Sequence, residues 1–142
     1  MSESLQGQPL IAGSASGPLL LLRAPISFWG GVDPATGRIV DPRHPDHGRC
    51  VSGTILALPA TIGSSSSSSV LLELIHSGHA PAALILRQPD AILLIGLIVA
   101  RELQWKTLPA LRLNTGDFAQ LREGRYVLRE TGGIERENAN YG

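Results

Sequence analysis

The chain has 142 residues, with 12 acidic and 12 basic side chains and a single cysteine, Cys50. This length fits one domain that can bury a sizeable core. The absence of a basic excess argues against a nucleic-acid partner. One cysteine excludes a disulfide framework and favours a reducing cytoplasm. It also excludes an iron–sulfur cluster held by this chain alone, because such a cluster needs several thiolates.

Neither the N-terminus nor the longest apolar run has the features of an export or membrane segment. Glu3 and Gln6 stand where a signal peptide would be basic, so no export signal is predicted. The longest apolar run, 91–100, is about half a membrane span, so we expect a core segment and no membrane contact. Residues 1–9 and 131–142 are polar and are expected to be loose. The sequence therefore predicts one domain over the whole chain.

Hydrophobic periodicity and turn residues predict an alternation of strands and helices. The predicted strands cover 18–22, 38–40, 54–58, 82–86, 108–113 and 126–128, and the predicted helices cover 70–75 and 91–104, with a helical turn at 114–117. This order of elements mixes crossover connections between strands with antiparallel strand pairs. The predicted fold class is α+β, a compact β/β/α domain.

The stretch that joins the strand at 54–58 to the first helix has an unusual composition. It reads Leu58-Pro59-Ala60-Thr61-Ile62-Gly63 and continues with six serines, 64–69. Such a serine run is typical of a flexible linker. However, strongly patterned segments flank it, and the chain is too short for two ordinary domains. Its position therefore favours a strand-to-helix turn, where serine is a preferred N-cap and where free backbone N–H groups attract anions.

A second polar segment, 41–48, contains Asp41, His44, Asp46 and His47. These are residue types that a metal would accept, so a zinc or iron site was weighed. Two prolines prevent the segment from forming the helix that would place both imidazoles on one face. A rigid loop that orients a substrate or a partner is the favoured interpretation.

Common catalytic motifs do not fit the serine run. A hydrolase elbow of the type Gly-x-Ser-x-Gly lacks its second glycine here, and a phosphate-binding loop lacks the Gly-Lys-Ser/Thr ending. What remains is a serine hydroxyl at a helix N-terminus. Its alkoxide becomes useful only where backbone N–H groups and cations stabilise it in a dry site. Such a group suits the removal of a proton next to a carboxylate.

Several ordered runs closely resemble the swivel domain of aconitase X. They are Ser27 to Pro34, Thr36 to Asp41 with His44-Pro45 and Gly48, Leu58-Pro59, Gly63-Ser64-Ser65, Ser69-Val70-Leu71, Ala80 to Arg87 and Pro89-Asp90. The resemblance implies a swivelling β/β/α domain that acts as the small subunit of a hydro-lyase. It implies an aconitase X large subunit as the partner. That subunit would supply cysteines for an iron or iron–sulfur centre, and this chain would carry no cofactor or metal ligand.

The resemblance also implies roles for individual residues. The first serine of the Gly-Ser-Ser turn, Ser64, corresponds to the proton acceptor of the aconitase superfamily. Ser65 and the amides at the helix start would hold the carboxylate of a small substrate, and Asp33, Asp41 and His44 would shape the facing loop of the substrate site. The implied reaction is dehydration of cis-3-hydroxy-L-proline. Mevalonate 5-phosphate is the alternative substrate, and a non-catalytic binding module is an alternative function.

Two positions depart from the family pattern. Ile62 stands where the family commonly has a basic residue, and Ser66 stands where aconitase has an arginine. Each change removes a cation that would stabilise an alkoxide or a bound carboxylate. The missing charge is expected from Arg43, Arg49 or the large subunit.

Overall fold

A computed structural model describes residues 4–63 and 66–137 of the chain. Its strands are β1 (Ser4–Gln6), β2 (Gln8–Ile11), β3 (Ala15–Leu21), β4 (Ile55–Leu58), β5 (Ala83–Leu86), β6 (Ala110–Arg112), β7 (Arg125–Leu128) and β8 (Gly133–Arg136). Its helical segments are α1 (Phe28–Gly31), α2 (Ser67–Ser77), α3 (Ala91–Glu102) and α4 (Thr115–Phe118). None of the described helices is both long enough and apolar enough to cross a bilayer.

The strands form one mixed sheet whose two edge strands follow each other directly in the chain. The order is β1-β8-β7-β3-β4-β5-β6-β2, with β3, β4, β5 and β6 parallel and the other pairs antiparallel. Strands β1 and β2 lie at opposite ends of this order, yet only Gly7 separates them in the chain. The segment 4–11 therefore joins the two edges of the sheet, and the sheet closes into a barrel.

Two apolar cores lie on the two sides of the parallel strands. On one side, Leu56 and Leu58 of β4 pack in the same cluster as Leu71 of α2 and Leu93 of α3. On the other side, Ile55 and Ala57 join a cluster inside the barrel that includes the side chains of α4, β7 and β8. Successive residues of a strand point to opposite faces. Strands β4 and β5 are therefore apolar at every position because both of their faces are buried.

Most of the predicted elements are present, with boundaries shifted by a few residues. The strands expected at 54–58, 82–86, 108–113 and 126–128 correspond to β4, β5, β6 and β7, and both predicted helices are formed. The ends were expected to be loose, and the structure differs from this where it describes them, whereas residues 1–3 and 138–142 lie outside the described residues. Residues 4–6 and 8–11 are strands that pair with β8 and β6, and β8 itself lies in the C-terminal stretch. Backbone hydrogen bonds to distant strands order both segments.

The connection between β3 and β4 is long and carries little regular structure. The strand predicted at 38–40 is reduced to two isolated antiparallel bridges, Val32 with Ile39 and Arg38 with Cys50. Segment α1 is a kinked turn, because Trp29 has φ −73° and ψ 118° and Gly30 has φ 81°. A left-handed φ of this kind favours glycine. The connection folds back on itself and returns to the sheet at β4.

Barrel closure predicts that Gly132 is intolerant of a side chain. Gly132 has φ +97°, and a Cβ added there would lie 2.2 Å from the carbonyl oxygen of Gly7. Gly48 has φ +89° with open space around its Cβ position. We expect Gly132→Ala to lower the free energy of unfolding by about 2–4 kcal/mol, because left-handed strain and the clash both contribute. Gly48→Ala should cost only the strain, about 1 kcal/mol. Urea-induced unfolding measures both variants, and equal losses would contradict the account of closure.

Candidate functional site

The carboxyl ends of the four parallel strands meet at one edge of the sheet. Ligands of α/β proteins bind in crevices at this edge. Four segments leave the sheet here: 22–26 after β3, 59–66 after β4, 87–90 after β5 and 113–114 after β6. We define residues 62–66 as the serine turn, whose described residues Ile62, Gly63 and Ser66 connect this edge to α2. Ser64 and Ser65 themselves lie outside the described residues, so the roles expected for them stay predictions.

The strand-to-helix connection predicted for the serine run is present. Strand β4 ends at Leu58, and α2 begins at Ser67 within the serine run. The entry to the turn is fixed by a parallel bridge between Ile26 and Thr61. In this bridge the amide of Ile62 donates to the carbonyl of Ile26 at 2.9 Å. The side chain of Ile62 remains 57% exposed at the mouth of the edge.

A threonine–aspartate contact joins this entry segment to the next crossover. The hydroxyl of Thr61 donates to Oδ2 of Asp90 at 2.5 Å. Asp90 is also the N-cap of α3, because its Oδ1 accepts from the amides of Ile92 and Leu93. In the sequence, Asp90 stood out only within the pair Pro89-Asp90, directly before the helix predicted at 91–104. The contact with Thr61 spans 29 positions, and no local pattern indicates it.

His44 contributes to the loop at 41–48 through hydrogen bonds to backbone groups, and its predicted part in a substrate site stays a prediction. Its side chain is buried, with 7% exposure of the residue. The Nδ1 atom accepts from the amide of Asp46 at 3.0 Å, so Nδ1 carries no proton. The Nε2–H then donates to the carbonyl of Ala24 at 3.1 Å. Both ring nitrogens are engaged by backbone, and neither is available to a substrate or a metal.

The buried carboxylate of Asp46 ties the same loop to the end of β3. Its Oδ2 accepts from the backbone amide of Arg23 at 2.9 Å, and its Oδ1 accepts from Nε of the same arginine at 3.1 Å. The Arg23 side chain also donates to the carbonyl of Pro45. The partners lie 23 positions apart, so no local sequence pattern indicates this pair. Arg23 and Asp46 hold the 41–48 loop at the carboxyl edge.

Asp41 and Asp33 both stabilise turns, but they lie at different ends of the molecule. Oδ1 of Asp41 accepts from the amide of Arg43 at 2.9 Å, within the loop at the carboxyl edge. Oδ1 of Asp33 accepts from the amide of Ala35 at 2.9 Å. The carbonyl of the adjacent Pro34 accepts from the hydroxyl of Ser77, the last residue of α2.

The length of α2 therefore separates Asp33 from the serine turn. This helix has 11 residues, which corresponds to about 16 Å at 1.5 Å per residue. The serine turn precedes the N-terminus of α2, whereas the Asp33 turn packs at its C-terminus. The structure brings Asp41 and His44 to the edge that carries the serine turn, and it does not bring Asp33 there.

Exposed arginines lie at this edge and in the loop next to it. Arg87 directly follows β5, whose last residue pairs with Leu58 at the end of β4. Its guanidinium carbon lies 5.8 Å from the ring centre of Phe118, within the range of a cation–π interaction. Arg43 and Arg49 are exposed in the neighbouring loop. Arg87 was not among the cations expected from the sequence.

The described residues do not fit a resident metal centre. Within 4–63 and 66–137, no group of three or more His, Cys, Asp or Glu residues is arranged to hold a metal ion. The two residues of the 41–48 loop that come closest, His44 and Asp46, are occupied by backbone groups and by Arg23. Cys50 lies apart from them, with its Sγ near the carbonyl of Thr36.

Comparisons with known proteins identify relatives across nearly the whole chain. The sequence profile of the aconitase X swivel domain matches residues 4–135. A cis-3-hydroxy-L-proline dehydratase from Pseudomonas aeruginosa is 48% identical over 126 residues, which is 84% of this chain and 22% of that protein. A phosphomevalonate dehydratase small subunit from Pyrococcus furiosus is 38% identical over 124 residues, 87% of this chain and 86% of that protein.

A solved structure has the same fold. The holo form of aconitase X from Thermococcus kodakaraensis superimposes with a TM-score of 0.84 at 29% identity, covering 96% of this chain and 99% of the matched chain. The relatives differ in length. This chain spans about a fifth of the Pseudomonas aeruginosa dehydratase and of the cis-3-hydroxy-L-proline dehydratase from Hypocrea jecorina, but most of the Pyrococcus furiosus small subunit.

The hydrogen bonds of His44 predict a stability effect that His47 lacks. His44→Phe keeps an aromatic ring but leaves the amide of Asp46 and the carbonyl of Ala24 without their partners. We expect a loss of about 2–4 kcal/mol in the free energy of unfolding, because each buried unpaired group costs about 1–3 kcal/mol. His47 lies exposed in the same loop, so His47→Phe should change it by less than about 0.5 kcal/mol. Denaturant titration distinguishes the two, and a tolerant His44→Phe would argue against the structural role.

Removing the hydroxyl of Ser67 is predicted to stabilise the protein, the opposite of the effect expected for His44. Ser67 is fully buried at the start of α2, and its hydroxyl has no hydrogen-bond partner among the residues that the structure describes. Removing an unpaired buried hydroxyl should stabilise the protein, so we expect Ser67→Ala to raise the melting temperature and to add about 1–2 kcal/mol to the free energy of unfolding. Ser69 is exposed in the same helical turn, and Ser69→Ala should add only the difference in helix propensity, about 0.5 kcal/mol. A destabilised Ser67→Ala would mean that the hydroxyl has a partner in solution.

Proposed function

Because the chain belongs to the aconitase X swivel-domain family, we propose that it is the small subunit of a hydro-lyase and works with a separate large subunit. The match of the family profile to residues 4–135 carries this proposal. Relatives of similar length are named small subunits, which implies a large subunit in those proteins. The strand–turn–helix connection at the carboxyl edge supplies the place where the two subunits would share a site.

In this proposal Ser64 accepts the proton of the substrate. In the sequence Ser64 follows Gly63 and stands three positions before the first residue of α2. The positive pole of a helix and the amides of its first turn favour negative charge near the N-terminus. They would favour the alkoxide form of the serine and the substrate carboxylate at the same time. The exposed arginines of the edge, Arg43 and Arg87, would add charge that Ile62 and Ser66 do not provide.

The favoured substrate is cis-3-hydroxy-L-proline. Ser64 would take the proton from the carbon that bears the carboxylate, and the electron pair of that C–H bond would form the C2–C3 double bond. The 3-hydroxyl would leave with a proton as water, which gives a pyrroline-2-carboxylate. Support comes from the dehydratases of Pseudomonas aeruginosa and Hypocrea jecorina, which are 48% and 43% identical to this chain. Mevalonate 5-phosphate is the second candidate, supported by the similarity to the archaeal small subunits.

Other residues of this chain would bind the substrate and exclude water from the site. Ser65 and the amides at the start of α2 would hold the carboxylate of the substrate. Asp41 would shape the facing loop through its turn, with His44 holding that loop in place from beneath. An iron or iron–sulfur centre is proposed on the large subunit, as the resemblance to the aconitase X family implies.

The test is a dehydration assay of the assembled complex. This chain is co-expressed with the large subunit of its own genome, and the pair is assayed with cis-3-hydroxy-L-proline and with mevalonate 5-phosphate. We expect turnover of cis-3-hydroxy-L-proline. Ser64→Ala should lower kcat by a factor of about 10²–10⁴, the usual contribution of a general base. Ser69→Ala removes a hydroxyl from the exposed face of α2 and should leave kcat within about twofold.

Each other outcome has a distinct meaning. Turnover of mevalonate 5-phosphate alone would keep the hydro-lyase and change its substrate. Near-normal turnover by Ser64→Ala would remove this serine from the mechanism. An intact, metal-loaded complex that turns over neither substrate would support a non-catalytic binding module, in which Ile62 and Ser66 mark a changed function.

A further inference from the structure

Helix α3 contacts the chain on both sides of the serine turn. On the entry side, Thr61 donates its hydroxyl proton to Oδ2 of Asp90. The other oxygen of this carboxylate, Oδ1, accepts from the amides of Ile92 at 2.9 Å and Leu93 at 3.3 Å. One carboxylate therefore caps α3 with one oxygen and holds the entry of the turn with the other.

On the exit side, the backbone of α2 lies directly against α3. Gly96 is buried in the middle of α3, and a Cβ added there would lie 3.0 Å from the carbonyl oxygen and 3.3 Å from the Cα of Ser68. Ser68 is the second residue of α2. The first turn of α2 can approach this closely only because position 96 has no side chain. Helix α3 therefore contacts the chain both before and after the serine turn.

We propose that Thr61 and Asp90 are positioning residues that fix the serine turn for proton transfer. The proposal rests on the proposed function, in which Ser64 is the proton acceptor. The Ile26–Thr61 bridge fixes the backbone of the entry on its β3 side, and the Asp90 contact fixes it on its β5 side. The turn between Thr61 and Ser68 is then held at both ends. A displacement of about 1 Å can cost a factor of about 10² in rate, so such positioning matters for the chemical step.

Helix capping alone does not account for the contact. An N-cap needs one acceptor for the free amides of the first turn, and Oδ1 of Asp90 supplies it. Oδ2 has a different partner, Thr61, which lies in another crossover of the sheet. A serine at position 90 has a single oxygen and is also a favoured N-cap. Asp90→Ser should therefore keep the cap and lose the bond to Thr61.

The experiment compares Thr61→Val with Thr61→Ser in the complete complex. Valine has nearly the shape of threonine without its hydroxyl, whereas serine keeps the hydroxyl. Thr107→Val is the control, because Thr107 also donates to α3, at the carbonyl of Leu97, but itself lies before β6, at the edge of the sheet opposite to the serine turn. Two quantities are measured: amide hydrogen exchange of a peptide covering 59–70, and the rate of the complex with substrate deuterated at the carbon that loses its proton.

Thr61→Val should speed exchange of the 59–70 peptide by about tenfold or more and lower kcat by a factor of about 10–100. The deuterium isotope effect on kcat should rise, because proton transfer from a misplaced acceptor becomes more rate-limiting. A merely structural loss would reduce the amount of active enzyme and leave the isotope effect unchanged. Thr61→Ser should restore exchange, rate and isotope effect, and Thr107→Val should alter none of them. If Thr61→Val fails to fold, Asp90→Ser is expected to give the same changes with its cap retained.

The outcomes separate this proposal from the proposed function. Unchanged exchange of the 59–70 peptide in Thr61→Val would overturn it, as would unchanged kcat with faster exchange. Equal losses in Thr61→Val and Thr61→Ser would also overturn it, because the hydroxyl would then be irrelevant. If the wild-type complex turns over neither substrate, the proposed function fails and the role in proton transfer fails with it, whereas faster exchange would still establish that Thr61 holds the turn.

Discussion

Burial of β4 and β5 on both faces is the constraint on which the rest of the structure depends. Side chains from helices α2 and α3 pack on one face, and the closed barrel packs on the other. Polar side chains are excluded from the middle of these strands because they would be buried without partners. They collect instead where the strands end. Arg23, Thr61 and Asp90 occupy such positions, and the hydrogen bonds that organise the candidate site therefore lie along the carboxyl edge.

The sequence predicted those parts of the fold whose signal is local. Apolar runs of four or five residues located β4 and β5, and the longest apolar run, 91–100, falls within the predicted and observed helix α3. Pairing of the segment 4–11 was missed because its partners, β6 and β8, lie at the other end of the chain. Short polar strands of this kind show no strong alternation. Their order comes from backbone hydrogen bonds, which composition does not reveal.

The sequence likewise predicted the local features of the candidate site. The strand-to-helix serine turn and its family assignment followed from ordered motifs, and the family profile confirms the assignment. Individual residues of the facing loop were harder to place. Asp33, Asp41 and His44 have the chemistry of ligand-binding residues, yet each makes a hydrogen bond that stabilises a turn or a loop. Residue type cannot distinguish these uses, because a carboxylate or an imidazole satisfies backbone N–H and C=O groups as readily as a substrate.

Closure of the barrel by residues 4–11 has a consequence for the order of folding. These residues are synthesised before β6 and β8, so they must remain unpaired until the strands that receive them have left the ribosome. Pairing across such long separations is slow because the connecting loop must be closed first. We therefore expect the parallel strands and their two helices to form the early part of the structure. The N-terminal strands would join last, sealing a barrel that is otherwise already assembled.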